Sequence, residues 1–107
     1  MLILLDNNVP RGLARALTNH TVIEARERGW ATLKNGDLLT AAEEAGFEVL
    51  VTADRSIRYQ QNLEGRKLAI VALGKGRWTL IRTHLAEIVA AVNAATPASF
   101  TQVDIPE

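Results

Sequence analysis

Residues 1–17 read MLILLDNNVPRGLARAL, so that a run of apolar side chains ends on Asp6 and is followed by two asparagines and a proline. Residues 47–56, FEVLVTADRS, have the same character, because a second apolar run ends close to Asp54. Short, continuous apolar runs are typical of strands that are covered on both faces of a sheet. The two stretches therefore predict two buried strands, each with a carboxylate at its carboxyl end.

Patterns of helix and strand alternate along the rest of the chain. Asn8 and Pro10 suit the start of a first helix, as N-cap and first-turn residues. The other predicted strands are at 20–24, 47–52 and 68–73, with a candidate edge strand at 99–103. We also predict a loop at 25–34, a helix from Asn35 to about 45 and a turn at 74–76. A long helix is predicted from Trp78 to Val92, with the Trp78 ring in the core. Such alternation implies a parallel sheet with right-handed crossovers. We predict one α/β domain over residues 1–107, with a mainly parallel four- or five-stranded sheet flanked by helices.

The composition excludes several classes of protein. Because the chain has no cysteine, it has no disulfide, thiolate metal site or cysteine nucleophile. The 12 basic and 12 acidic residues cancel, so a globally basic nucleic-acid binder is not indicated, although local clusters of arginine and lysine can still attract phosphate. No apolar stretch approaches the ~20 residues that span a bilayer, and Asp6 interrupts the first apolar run too early for a signal peptide. We expect a cytoplasmic protein that does not bind membranes.

Three aspartates are candidates for one metal site. In proteins with a parallel sheet, ligands bind beyond the carboxyl ends of the strands, near the point where the strand order reverses. Asp6 and Asp54 each follow a predicted strand, so both are expected at this edge. Asp37 lies in the first turn of a helix that begins at the same edge, and Asn8 can add a carbonyl oxygen. Oxygen ligands suit Mg²⁺ or Mn²⁺, and such a cation relieves carboxylate repulsion and activates water. A structural role is the alternative, since the helix dipole favours Asp37 and a turn favours Asp54.

Two segments of the chain resemble the PIN-like domain family. Residues 4–17, LLDNNVPRGLARAL, resemble the opening of these domains, where a strand runs into an Asp-Glu-x-x-Pro segment and then a helix. Residues 29–63, GWATLKNGDLLTAAEEAGFEVLVTADRSIRYQQNL, resemble the middle of one bacterial branch of the family. That branch shows a similar Gly-Trp pair, a Lys-Asn-Gly-acid-Leu-Leu helix start, a Val-Thr-x-Asp strand end and a Tyr-Gln-Gln-Asn-Leu stretch. The resemblance covers about residues 2–73.

The resemblance implies a compact three-layer fold and a Mg²⁺- or Mn²⁺-dependent ribonuclease. It also implies the toxin of a type II toxin–antitoxin module, with RNA as substrate and with an antitoxin protein or a second copy of the chain as further partners. The positions that match the family's catalytic and metal-binding acids are Asp6, Asp37 and Asp54. The positions beside them, with a supporting role, are Asn7, Asn8, Lys34 and Asn35. The positions of the substrate-binding segment are Arg55, Arg58, Tyr59, Gln60 and Gln61.

Two positions depart from the family pattern. Asn7 stands where relatives usually carry glutamate, and Ser56 stands where many carry another acid. The loss of these carboxylates leaves a second hypothesis open, in which the domain binds RNA or a protein without cleaving anything. A receiver-like phosphoacceptor domain is a third hypothesis, because it also has acids after its first and third strands, but Asn7 breaks the acidic pair that it requires.

Overall fold

The computed structural model describes residues 1–33, 35–57, 63 and 65–106. The strands of this part are β1 (Leu2–Leu5), β2 (Thr21–Glu24), β3 (Val49–Thr52), β4 (Ala69–Ala72) and β5 (Phe100–Gln102). They form one sheet in the order β2-β1-β3-β4-β5, and every neighbouring pair is parallel. The predicted parallel α/β architecture is therefore confirmed, including the edge strand, and each observed strand lies inside the range that its apolar pattern predicts.

The helices confirm the prediction less completely than the strands do. The helices that the structure describes are α1 (Leu13–Ala16), α2 (Asn35–Glu44), α3 (Trp78–Ile81) and α4 (Leu85–Asn93), with 3-10 helices at Ala25–Arg28 and Arg82–His84. The predicted continuous helix from 78 to 92 is wrong, because a 3-10 segment separates α3 from α4. Within it, the Thr83 hydroxyl donates to the Leu80 carbonyl at 2.7 Å, a local bond that competes with regular helix. None of the helices described is long and apolar enough to cross a membrane.

Two apolar clusters, one on each face of the sheet, form the core. Side chains alternate between the faces along a strand, so Leu5 belongs to one cluster and Leu4 to the other. The first cluster also contains Leu13 of α1 and Ile88 of α4. The second contains Leu38 of α2. Helices therefore cover both faces, and the result is the three-layer arrangement that the resemblance to PIN-like domains implies.

The two tryptophans have different surroundings. The Trp30 ring packs edge-on against Phe47, with 6.0 Å between the ring centroids, and the Arg28 guanidinium lies 5.0 Å from the Trp30 centroid. Trp78 was predicted to lie in the core, but 39% of it is exposed and its ring lies against Gly12. The prediction is wrong because the Trp78 ring lies over Gly12, whereas Ile81 at the end of the same helix is the residue that enters the core.

The carboxyl end of β1 lies where the strand order reverses. β1 pairs with β2 on one side and with β3 on the other, so Leu5 is aligned both with Glu24 and with Val51. The ladder continues for one more bond, because the Asp6 N–H donates to the Val51 carbonyl at 2.9 Å. Ligands of doubly wound sheets bind in the crevice at this point. The topology of the sheet thus positions Asp6 at the switch point.

Candidate functional site

Asp6 is held by main-chain and side-chain hydrogen bonds at the end of β1. Its carbonyl accepts the Val9 N–H at 3.0 Å, which closes a turn after the strand. Its Oδ1 accepts the Asn7 N–H at 2.7 Å, and its Oδ2 accepts the Thr52 hydroxyl at 2.8 Å. The carboxylate is therefore oriented by the backbone that follows it and by a side chain from the neighbouring strand β3.

Thr52 connects Asp6 to Asp54. It is fully buried at the end of β3, and its Oγ1 donates to Asp6 while it accepts the Asp54 N–H at 3.1 Å. The Asp54 carboxylate also closes a local turn, since its Oδ1 accepts the N–H of Ser56 at 2.9 Å and the Ser56 hydroxyl at 2.6 Å. The structure thus brings Asp6 and Asp54 to one edge of the sheet, as the strand topology predicts, and Asp54 has the turn role as well.

Asn8 joins the segments that follow β1 and β3. Its Oδ1 accepts the Ala53 N–H at 3.0 Å. Its carbonyl lies so close to Gly76 that a Cβ atom there would be 2.7 Å from the oxygen. The predicted N-cap role is wrong, because α1 begins only at Leu13 and Gly12 occupies its cap position. The Asn8 side chain instead connects the segments that follow β1 and β3, at the edge of the sheet that carries Asp6 and Asp54.

Asn7 faces the loop that follows β2. Its Nδ2 donates to the carbonyls of Trp30 and Ala31 at 3.1 and 3.3 Å, and its own carbonyl accepts a bond from Arg26 at 3.2 Å. The two donated bonds determine which end of the amide is oxygen. The Oδ1 atom is then buried, and it has no hydrogen-bond partner in the part of the chain that the structure describes. A buried oxygen of this kind is normally satisfied by water or a cation.

Asp37 is exposed in the first turn of α2, where the helix dipole favours a negative charge. Among residues 1–33, 35–57, 63 and 65–106, no group of three or more acidic or histidine side chains is arranged to hold a metal ion. The structure therefore brings Asp6 and Asp54 to one edge of the sheet, but it does not gather all three predicted acids into a preformed cage. Their catalytic and metal-binding roles stay predictions.

Glu24 is a carboxylate at the same edge that the sequence analysis missed. It ends β2 opposite Leu5, and only 7% of it is exposed. Its Oε2 accepts a bond from the Arg11 Nε at 3.2 Å, and its Oε1 lies 3.5 Å from the Arg26 Nε. Oε1 has no hydrogen-bond partner among the described residues. A signal was present in the sequence, because the second strand ends on an acid just as the first and third lead into one.

Other predicted residues are only partly covered by the structure. Arg55 is exposed, and its aliphatic portion lies directly over Gly74, where the positive φ of 74° and the missing Cβ leave room for it. Asn35 begins α2 with its backbone. The predicted positions outside the described residues are Lys34, Arg58, Tyr59, Gln60, Gln61 and the side chain of Asn35.

Comparison with known proteins places residues 1–75 in a protein family. The family model described as "PIN like domain" matches residues 1–75, which include β1 to β4 and the edge that carries Asp6 and Asp54. No match was found among curated proteins. No match was found among solved structures.

Proposed function

Because the chain belongs to the PIN-like domain family, which includes nucleases, we propose that it is a Mg²⁺- or Mn²⁺-dependent endoribonuclease. The observation that carries the proposal is the Thr52 hydroxyl, which binds Asp6 and the backbone of Asp54 at the switch point of the sheet. The proposed biological role is that of the toxin in a type II toxin–antitoxin module. Its partners would be RNA, an antitoxin protein and a second copy of the chain.

The donor atoms at this edge suit a hard cation. They are oxygens of Asp6 and Asp54, and the residue that follows Asp6 adds the buried Asn7 Oδ1, which has no hydrogen-bond partner among the described residues. Mg²⁺ is usually held by one or two carboxylates together with water and substrate phosphates, so it does not require a cage of three acids. When bound, such an ion lowers the pKa of a water molecule and offsets charge on the phosphodiester.

Each residue has a defined task in the proposed reaction. Asp6 and Asp54 would hold the metal ion, and Asp37 would join them directly or through a water molecule. Thr52 would position both aspartates, because its hydroxyl is hydrogen-bonded to each of them. Arg55, exposed directly after Asp54, would bind a phosphate of the RNA.

Cleavage of RNA by the purified protein tests the proposal. Single-stranded and structured RNAs are incubated with Mn²⁺, with Mg²⁺ and with EDTA, and the isosteric variants Asp6→Asn and Asp54→Asn are assayed beside the wild type. We expect metal-dependent cleavage that each variant lowers by about 100-fold or more, since even partners of metal ligands are worth 10- to 100-fold. Glu44→Gln, an exposed change at the far end of α2, is the control and should cleave normally. Absence of cleavage with either metal, or cleavage unchanged in both variants, refutes the proposal.

A binding module without catalysis is the second candidate, and Asn7 is the observation that favours it. The side chain that replaces the usual acid is engaged with the carbonyls of Trp30 and Ala31, so it contributes hydrogen bonds where relatives contribute charge. Titration calorimetry with Mg²⁺ and Mn²⁺ separates the two functions. Binding of either ion that Asp6→Asn abolishes contradicts the second candidate, whereas RNA binding with no measurable metal binding supports it.

A further inference from the structure

An open groove with both polar and apolar walls lies beside the proposed active site. Its cavity of about 380 Å³ is lined by eight residues, of which six matter here: Asn7, Asn8, Arg11, Arg26, Gly76 and Trp78. We call it the Trp78 groove. Because Asn7 and Asn8 directly follow Asp6 in the chain, the groove begins where the acidic edge ends. A ligand chain that lies across the acids can therefore continue into the groove.

The Trp78 ring forms an exposed flat surface in this groove. A Cβ atom on Gly12 would lie 2.9 to 3.0 Å from three consecutive atoms of the six-membered ring. Since these distances are nearly equal, Gly12 lies under a face of the indole and not at its edge. Trp78 as a whole is 39% exposed, so the part of the ring that Gly12 does not cover is available to a ligand in the groove. Such a supported aromatic face is a platform on which another ring can stack.

Two guanidinium groups stand at the same groove. The side chains of Arg11 and Arg26 are 77% and 48% exposed, and both pair with the nearly buried carboxylate of Glu24. One carboxylate cannot neutralise two arginines, so the trio carries one positive charge in excess. Because both arginines contact the same carboxylate, their guanidinium groups lie close enough together for one phosphate to contact both.

We propose that the Trp78 groove binds a nucleotide of single-stranded nucleic acid, with the base stacked on Trp78 and an adjacent phosphate bound by Arg11 and Arg26. The proposal rests on the proposed function, since the groove would hold the substrate strand next to the metal site. A single strand is required because the faces of its bases are free, whereas those of a duplex are already stacked. The pairing of an aromatic face with positive charge favours nucleic acid over a protein partner.

The test measures binding without cleavage. The affinity of a short, fluorescently labelled, single-stranded RNA is determined by anisotropy in EDTA, so that a failure of the nuclease proposal does not affect the result. Trp78→Ala should weaken binding by between about 5-fold and about 150-fold, which is the range of base–aromatic stacking. Trp78→Phe keeps a smaller ring and should lose less. Thermal melting of each variant verifies that it is folded.

Charge is tested separately from stacking. Arg11→Gln should weaken binding and lower the slope of log affinity against log salt by about 0.7, the value for one phosphate contact with a single strand. Lys67→Gln is the control, because this exposed lysine lies by a cavity at the opposite, amino-terminal edge of the sheet. It should bind RNA as the wild type does.

The outcomes distinguish this inference from the nuclease proposal. RNA binding that depends on Trp78 without any cleavage supports the groove and refutes only the nuclease. Equal affinity of Trp78→Ala and wild type overturns the groove, even if the protein cleaves RNA, and leaves the exposed indole for a protein partner. A loss in Lys67→Gln equal to that in Arg11→Gln also overturns it, because attraction would then be general and not local.

Discussion

Replacing Thr52 by valine removes the hydroxyl that links Asp6 to Asp54 while it preserves the shape of the side chain. Thr52 is fully buried, so a smaller residue would leave a cavity, but valine fills nearly the same volume. Two hydrogen bonds are lost: one donated to Asp6 Oδ2 at 2.8 Å and one accepted from the Asp54 N–H at 3.1 Å. The substitution therefore reports on the link between the acids and on little else.

The expected cost of Thr52→Val follows from these two bonds. A hydrogen bond to a charged acceptor contributes about 1.5 to 3 kcal/mol, and a neutral one contributes about 1 kcal/mol. The added methyl group returns up to about 0.8 kcal/mol through burial. We expect the free energy of unfolding to fall by about 2 to 3 kcal/mol. For a domain of this size, this lowers the melting temperature by roughly 8 to 12 °C.

Circular dichroism melting and Mn²⁺ calorimetry measure the two consequences of Thr52→Val. In addition to the loss of stability, the affinity for Mn²⁺ should fall by about 10- to 100-fold, because partners that orient metal ligands are worth that much. Thr21→Val, an exposed change on the edge strand β2, is the matched control and should alter neither quantity. If Thr52→Val melts within about 2 °C of the wild type, the two hydrogen bonds of the Thr52 hydroxyl do not stabilise the ends of β1 and β3, and the reasoning is wrong.

Two further substitutions test the packing around the site and the stability of the domain. Gly76→Ala places a Cβ atom 2.7 Å from the Asn8 carbonyl oxygen, so the backbone must shift. Chemical denaturation should show that the free energy of unfolding falls by about 1 to 3 kcal/mol. Unchanged stability would mean that the backbone here can move without cost. Burial raises the pKa of Glu43, but hydrogen bonds from the Arg66 side chain and the Lys67 N–H, with the charge of Arg66, outweigh it and lower the pKa below its ordinary value of 4.5. The charged carboxylate thus stabilises the fold above pH 4.5, and this stabilisation is lost as the pH falls below that value. Glu43→Gln should therefore lower the free energy of unfolding by about 1 kcal/mol at neutral pH and by progressively less in acid. A loss of stability that does not change with pH would contradict the ion pair.

The centre of the sheet was predictable because its strands are almost entirely apolar. A strand buried on both faces needs a continuous apolar run, and the runs ending at Leu5, Thr52 and Leu73 contain the three central strands β1, β3 and β4. The order of the strands follows less directly, since adjacency in a parallel sheet depends on how crossovers pack. The prediction that the acids meet required only that β1 and β3 be neighbours, and they are.

The helical predictions failed where local pattern and tertiary position disagree. The apolar spacing from Trp78 to Val92 describes one helix face, but it contains no information about where the chain leaves the sheet. Trp78 follows a turn at the strand ends, so its ring covers Gly12 and not the core. Asn8 is a residue type that often caps helices, but its side chain accepts a hydrogen bond from the Ala53 N–H on another segment.

What the sequence by itself determined is the set of apolar runs, the acids that end them and the family to which residues 1–75 belong. Those features are local, because each depends on residues that are neighbours in the chain. Only the tertiary structure decided that Thr52 would bridge Asp6 to Asp54, that Glu24 would join the same edge, and that Trp78 would face a groove lined by Arg11. These contacts join segments distant in sequence, so their geometry is set by strand register and crossover packing, which no local pattern encodes.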